Sequence, residues 1–226
     1  MNIFQAASVC VFDAYGTLLD IGAMTERFRP DLGDAAEPFF RKWRRRQLEI
    51  SWLPNPIMAG ADFWMITGEA LDEVMAEFGL RDHRLRSRLM DAWLAPRLYP
   101  DVVPALKRLR GQGMKTAILS NGTRAMLEAG LKAVGITALF DAVLSVEQVR
   151  VFKPNAAVYG LVTRHFDTAP ASVCFVSGNP WDIQGAAVFG FRTIWLNRAA
   201  DSPENLPRGT LATITTLAEL PALLGA

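Results

Sequence analysis

Apolar and polar positions follow two rhythms along this chain. After residue 99, short apolar runs alternate with stretches whose apolar positions recur every third or fourth residue. The first rhythm predicts buried strands and the second amphipathic helices. Strands are expected at 9–12, 115–120, 141–145, 173–176 and 193–196, with a last edge strand at 211–214. Helices are expected at 101–110, 124–134, 155–166 and 183–189. Asp101 is placed to cap the first of these, Pro104 fits its first turn, and Gly135 closes the second. Strands alternating with helices predict an α/β fold, a Rossmann-like doubly wound parallel sheet.

Residues 21–98 break that alternation and read as wholly helical. Leu71, Val74, Met75 and Phe78, then Leu85, Leu89 and Trp93, keep helical spacing, and Gly79 stands where a helix ends. So long a block is too large for a crossover between neighbouring strands. The expected organisation is a core of residues 1–20 and 99–226, with residues 21–98 inserted after the first strand as a helical cap. Residues 201–208, with Pro203 and Pro207, read as a surface loop.

Composition narrows the function classes. The chain has 226 residues, half of them hydrophobic, and a formal net charge of +1. That balance gives no global attraction to nucleic acid or an anionic membrane. No apolar stretch reaches the ~18 residues of a membrane span, and residues 1–8 do not look like a signal peptide. The two cysteines, Cys10 and Cys174, lie inside apolar runs and read as small buried hydrophobes. A reduced, soluble, cytoplasmic protein is expected. With only His83 and His165, both on predicted helix surfaces, neither a Ser-His-Asp triad nor a two-histidine metal site is easily built. Arg84, Arg86 and Arg88 read as a solvated helix face.

The candidate chemistry lies at strand ends. Asp13 follows the first strand and Ser120-Asn121-Gly122 ends the second. Lys153 follows the third unit, and Ser177-Gly178-Asn179-Pro180-Trp181-Asp182 follows the fourth. Parallel strands gather such ends over one crevice. Taken alone, Asp13 is either a turn residue or a nucleophilic carboxylate. In the predicted helix 39–53, Phe40, Arg44, Leu48 and Trp52 share a stripe, which sets Arg44 amid apolar residues. Lys42, Arg45, Arg46 and Glu49 fall on the opposite face. A guanidinium on an apolar face needs an anion, supplied either by an ion pair inside the cap or by a substrate.

This set resembles the haloacid dehalogenase superfamily over essentially the whole chain. Most members are magnesium phosphatases, which place a general-acid Asp where this chain has Tyr15 and a metal-binding Asp where it has Gly178. A halide needs neither, because it departs without a proton from a carbon rather than a phosphoryl centre. The resemblance narrows to the L-2-haloacid dehalogenases through Phe12-Asp13-Ala14-Tyr15-Gly16-Thr17-Leu18, the string from Trp43 to Leu53, Leu119-Ser120-Asn121-Gly122, Lys153-Pro154 with Tyr159, and Ser177 with Asn179 to Asp182.

The resemblance implies that Asp13 attacks and Thr17 orients it, while Arg44 and Asn121 receive the halide. It implies that Tyr15 and Ser120 seat the carboxylate and that Lys153 and Tyr159 belong to the charge network. Ser177, Asn179 and Asp182 would handle the hydrolytic water, and Leu48, Phe63 and Trp181 would wall the alkyl chain. Phe63, Tyr159 and Trp181 also read as ordinary core aromatics. The turns after Asp13 and Ser120 offer backbone N–H groups to the substrate carboxylate.

The implied reaction is metal-independent hydrolysis of an L-2-haloacid to a D-2-hydroxy acid through an aspartyl ester on Asp13. No cofactor and no metal are implied, and the partner is a small 2-haloalkanoic acid. A magnesium-dependent phosphatase of the same fold, a non-catalytic binding protein that keeps the site, and a hydrolase of another 2-substituted carboxylic acid are the alternatives. Dimers are common among such proteins, and the apolar helix at 63–78 reads either as a homodimer interface or as cap core.

Overall fold

The computed structural model describes residue 4 and residues 7–53, 60–199 and 206–225. In chain order the elements begin with β1 (Val9–Phe12), β2 (Leu19–Asp20), α1 (Ala23–Leu32), α2 (Ala36–Trp52), α3 (Phe63–Glu77), α4 (His83–Asp91) and β3 (Arg97–Leu98). They continue with α5 (Val102–Gly111), β4 (Lys115–Ser120), α6 (Arg124–Ala133), β5 (Ala142–Ser145), α7 (Ala156–Phe166) and β6 (Val173–Ser177). The chain ends with α8 (Pro180–Phe189), β7 (Arg192–Leu196), β8 (Thr210–Ile214) and α9 (Leu220–Leu223). The predicted loop 201–208 falls mostly outside the described residues.

Six strands form one sheet in the order β5-β4-β1-β6-β7-β8. Every pairing in it is parallel. β1 and β6 are buried along their whole length, which explains their uniformly apolar sequences. Phe12 pairs with Ile118 on one side and Val176 on the other. The chain starts at the centre, winds outward through β4 and β5, and returns to β6. Strand order therefore reverses at β1, and the crevice of such a sheet opens at that strand's carboxyl end.

The stretch between β2 and β3 holds four α-helices among the described residues, but it is not wholly helical. Leu19 pairs with Leu98 and Asp20 with Arg97 in an antiparallel ribbon at its stem. The predicted stripe on α2 also needs correction. The buried positions are Ala36, Phe39, Phe40, Trp43, Gln47 and Ile50, whereas Trp52 is exposed. Arg44 and Leu48 flank that core stripe and are partly buried. Helix α3 buries Phe63, Ile66, Ala70, Leu71, Val74 and Met75 in the core and leaves Met65 exposed.

Asp101 does not cap α5 with its side chain. Its carboxylate instead accepts from both terminal nitrogens of Arg198 at 3.0 Å, from the Thr216 hydroxyl at 2.7 Å and from the Leu217 N–H at 2.8 Å. An arginine fork is a stronger donor than a helix N-terminus. Among the described residues no helix is long and apolar enough to cross a membrane.

Candidate active site

The Asp13 N–H donates to the Val176 carbonyl at 3.0 Å, extending the β1–β6 ladder one residue past the strand. Its side chain thus emerges at the carboxyl edge of the sheet. The chain then turns sharply. Gly16 has φ +85°, a conformation that L side chains rarely adopt. The Ala14 carbonyl accepts from the N–H groups of Thr17, Leu18 and Leu19. This turn carries the Thr17 hydroxyl back onto Asp13 Oδ2 at 3.1 Å. The same hydroxyl accepts from the Gly178 N–H at 2.9 Å, which ties the turn after β1 to the turn after β6.

Two further donors reach Asp13. Asn179 Nδ2 lies 2.8 Å from Oδ2, and Lys153 Nζ lies 3.0 Å from Oδ1. The three bonds fix the carboxylate's orientation. Lys153 also donates to Asp182 Oδ2 at 2.7 Å, and the Tyr159 hydroxyl donates to Asp182 Oδ1 at 2.8 Å. Lys153, Tyr159 and Asp182 are all fully buried. A buried ammonium between two carboxylates is tolerable only because both are within hydrogen-bond reach.

Asn121 fixes the other side of the lysine loop. Its Oδ1 accepts from the Lys153 N–H at 3.0 Å. That bond orients the amide and leaves the buried Nδ2 without a partner among the described residues. Ser120 and Ser177 are buried at the ends of β4 and β6, and each hydroxyl accepts from the N–H two residues on, Gly122 and Asn179 respectively, at 3.1 Å.

Two of the expected anion-binding backbone groups are therefore engaged. The Gly122 N–H serves Ser120, and the Gly16 N–H donates to the Leu19 carbonyl at 2.8 Å. Any carboxylate cradle must draw on other donors.

Electrostatics separate the roles of the ionisable groups. Burial, reinforced by the charge of Asp13 and opposed by Lys153, pushes Asp182 up to about 6. Burial works against the charge of Lys153, yet Asp13 and Asp182 outweigh it and hold the ammonium above the ordinary lysine value. Burial raises the phenols of Tyr15 and Tyr159 well out of the physiological range, so both are hydrogen-bond donors rather than bases. Burial depresses Arg44, while Asp13, Tyr15 and Asp182 support its charge. Arginine's ordinary value is high enough that it stays a cation. Two carboxylates, Asp13 and Asp182, thus face two cations, Lys153 and Arg44.

The aromatic residues frame this set. Tyr15 and Trp93 pack with ring centroids 5.1 Å apart, and the Arg44 guanidinium lies 5.9 Å from the Trp93 ring. Phe63 packs on Phe152 at 5.9 Å, beside Lys153 in sequence, and Trp181 packs edge-on to Trp52 at 5.4 Å. Leu48 sits one turn beyond Arg44 on α2. Direct hydrogen bonds join Asp13, Thr17, Asn121, Lys153, Tyr159, Ser177, Asn179 and Asp182. Among the described residues, however, Arg44 bonds only to Gln47 and the Ser120 hydroxyl only to Gly122, while the three wall candidates bear on neighbouring aromatics and on α2.

A magnesium centre of the superfamily's phosphatase type does not fit these residues. A β-carbon at position 178 would lie 2.5 Å from the Gly16 carbonyl oxygen, so the backbone leaves no room for a liganding side chain there. Tyr15 stands where the general acid belongs and donates its hydroxyl to the Trp93 carbonyl at 3.4 Å. Among the described residues, no group of three or more His, Cys, Asp or Glu side chains is arranged to hold an ion.

The family model described as haloacid dehalogenase-like hydrolase matches residues 7–190. The chain belongs to this family. It is 43% identical over 216 residues to (S)-2-haloacid dehalogenase 1 of Pseudomonas sp. strain CBS-3, covering 95% of each protein. A solved structure of a dehalogenase with intermediate complex is 38% identical with a TM-score of 0.93, covering 98% of both chains. The L-2-haloacid dehalogenase of Xanthobacter autotrophicus with chloropropionic acid covalently bound is 32% identical with a TM-score of 0.82, covering 96% of this chain and 98% of that one.

In this haloacid dehalogenase-like hydrolase, sequence reasoning overlooks several residues that position the site. Arg198 donates through Nε and Nη2 to the Thr17 carbonyl, at 3.1 and 2.9 Å, and stacks 3.8 Å from the Tyr99 ring centroid. It therefore braces the turn that carries Thr17. No local pattern marks it, because its partners lie far away in sequence. Gln47 and Thr67 are buried polar residues on α2 and α3. Gln47 carried a usable signal, being one helical turn from Arg44.

Proposed function

We propose that this protein hydrolyses L-2-haloacids to D-2-hydroxy acids without a metal, through an ester formed on Asp13. The observation that carries the reading is the Asp13 carboxylate held by Lys153, Thr17 and Asn179 beside a position 178 that admits no metal ligand. The identity to (S)-2-haloacid dehalogenases over almost the whole chain supports it.

In the first step an Asp13 oxygen attacks carbon 2 from the side opposite the halogen. The C–O bond forms, the carbon–halogen bond breaks, and halide leaves with the electron pair and without a proton. The Asn121 Nδ2, which has no partner among the described residues, and the Arg44 cation receive that anion in this reading. Tyr15 and Ser120 seat the substrate carboxylate, and Leu48, Phe63 and Trp181 wall the alkyl group. In the second step Asp182 takes a proton from water, whose oxygen attacks the Asp13 ester carbonyl. The acyl C–O bond breaks, and the departing alkoxide takes the proton held by Asp182 and leaves as the 2-hydroxy acid. The Asp13 carboxyl releases to solvent the proton that came with the water oxygen, which regenerates its carboxylate. Ser177 and Asn179 align the water. One inversion at carbon gives the D product.

The helical insertion acts in this reading as a cap, residues 21–98 against a core of 1–20 and 99–226, because the charges of Asp13 and Asp182 in the core support that of Arg44 on α2. Exclusion of bulk water strengthens every charge interaction beneath it. We place the protein in the cytoplasm, consistent with two buried free cysteines.

The test is racemic 2-chloropropionate in buffer containing EDTA. Chloride release with D-lactate as product, and unreacted D-substrate, is the expected result. Phosphate release from a phosphomonoester that dies on chelation would overturn the reading.

A further inference from the structure

We infer that Gln47 and Thr67 form a neutral brace that aims Arg44 at the substrate and leaves its charge available to an incoming anion. The inference rests on the dehalogenase reading above and extends it to residues that never touch substrate.

Arg44 Nη1 donates to Gln47 Oε1 at 2.6 Å. Gln47 Nε2 donates to Thr67 Oγ1 at 2.6 Å. Thr67 in turn donates its only hydroxyl hydrogen to the Phe63 carbonyl at 2.6 Å. The directions are forced. With its hydrogen committed to Phe63, Thr67 can only accept from Gln47, so the amide must present its oxygen to Arg44. The Trp43 indole N–H donates to the Thr67 carbonyl at 2.9 Å, which locks α2 to α3 at the same level. Gln47 and Thr67 are both fully buried.

The neighbouring cations of α2 are treated differently. Arg41 pairs with Glu37, Lys42 with Glu77, Arg45 with Glu49, and Arg46 with Glu49 and Glu73. Arg44 has an amide where each of these has a carboxylate, and no ion-pair partner among the described residues. A carboxylate at position 47 would hold the guanidinium as firmly, but it would neutralise it and compete with substrate. An amide fixes the geometry without cancelling the charge. Gln47 and Thr67 are thus positioning residues for anion capture by Arg44.

The test compares Gln47→Glu, Gln47→Met, Thr67→Val and Thr67→Ser with wild type. Bromide affinity is measured by calorimetric titration, alongside KM and kcat for L-2-chloropropionate. Gln47→Glu is expected to weaken bromide binding and raise KM by about 10–100-fold, the range of a charge-assisted bond redirected to a competitor. Gln47→Met and Thr67→Val each lose about 2–10-fold, as for a neutral bond. Thr67→Ser keeps the relay and stays near wild type.

A folded Gln47→Glu enzyme that binds bromide like wild type would overturn the brace, as would Thr67→Ser losing as much as Thr67→Val. A purely structural role would lower the melting temperatures without ordering bromide affinity by the charge at position 47. Wild type that binds bromide but releases no halide would count against the dehalogenase reading and leave the brace testable by titration.

Discussion

Gly178 and Gly16 are packed so closely that a β-carbon on the former would stand 2.5 Å from the carbonyl oxygen of the latter. Both sit in turns that carry site residues, and backbone cannot swing aside as a flexible side chain can. The Gly178 N–H also holds the Thr17 hydroxyl at 2.9 Å, so any shift passes directly to the group that orients Asp13.

Gly178→Ala is therefore expected to cost about 1–3 kcal/mol, the usual range for overpacking, read from urea denaturation. Halide release should fall with it. Gly178→Asp should lose more, and it should gain no magnesium-dependent phosphatase activity, because Tyr15 still supplies no acid. A phosphatase emerging from that single change would show that the turn is more yielding than its packing implies.

Lys153 is the cation on which two buried carboxylates depend. Replacing it with methionine removes the ammonium hydrogen-bonded to both Asp13 and Asp182 and, among the described residues, leaves only the Arg44 charge against them. Breaking a buried pair by removing one partner costs about 3–5 kcal/mol, so Lys153→Met should be strongly destabilised at neutral pH. Acidification protonates Asp182, whose carboxyl burial already pushes up, and the deficit relative to wild type should shrink as pH falls. Adding Asp182→Asn should restore part of the stability but none of the activity. Denaturation curves of the single and double variants at two pH values decide this.

Asp13 and Ser120 stand at strand ends for a physical reason that the chain itself displays, whereas Lys153 lies well past β5 and Asp182 lies within α8. A fully buried parallel strand admits polar side chains only at its ends, so an apolar run that stops at a carboxylate or hydroxyl marks the crevice. The strand limits follow from the same contrast, and β1 and β4 lie where the apolar runs place them. The face of α2 was harder to read. Helical spacing alone ranks the Phe40–Arg44–Leu48 stripe beside the Phe39–Trp43–Gln47–Ile50 stripe, and only packing against α3 shows that the second is core. Arg198 and Asp101 lay beyond reach because their bond joins positions with no shared pattern.

The ester step makes a claim about oxygen. Water attacks the carbonyl carbon of Asp13, so in a single turnover solvent oxygen enters the Asp13 side chain and not the product. With excess enzyme in H₂¹⁸O, mass spectrometry of the peptide containing Asp13 should show the label while the first-formed hydroxy acid stays light. Direct attack of water on carbon 2 would reverse that distribution. Asp13→Asn should cut halide release by roughly 10⁴-fold or more, the scale of nucleophile deletions, with the fold retained.

Asp182 is pushed up to about 6 by burial and by the charge of Asp13. Only its ionised form can take a proton from water, and esterified Asp13 no longer adds its charge, so hydrolysis of the ester should fall about tenfold per unit along an acid limb that lies below about 6 and reach a plateau above it. Lys153, held above the ordinary lysine value, stays an ammonium across that plateau. The stability sign is opposite. A native carboxylate that titrates near 6 holds its proton more tightly than the unfolded chain does at 3.8, so this group's contribution to stability declines as pH rises between those values. Tyr159 donates to Asp182 Oδ1 at 2.8 Å and favours its ionised form. Tyr159→Phe removes that donor. The acid limb of the rate profile should then move to higher pH by up to about one unit, with a lower rate along the limb and little change at pH 9. A limb that stays in place when the phenol is removed would show that another group carries the proton.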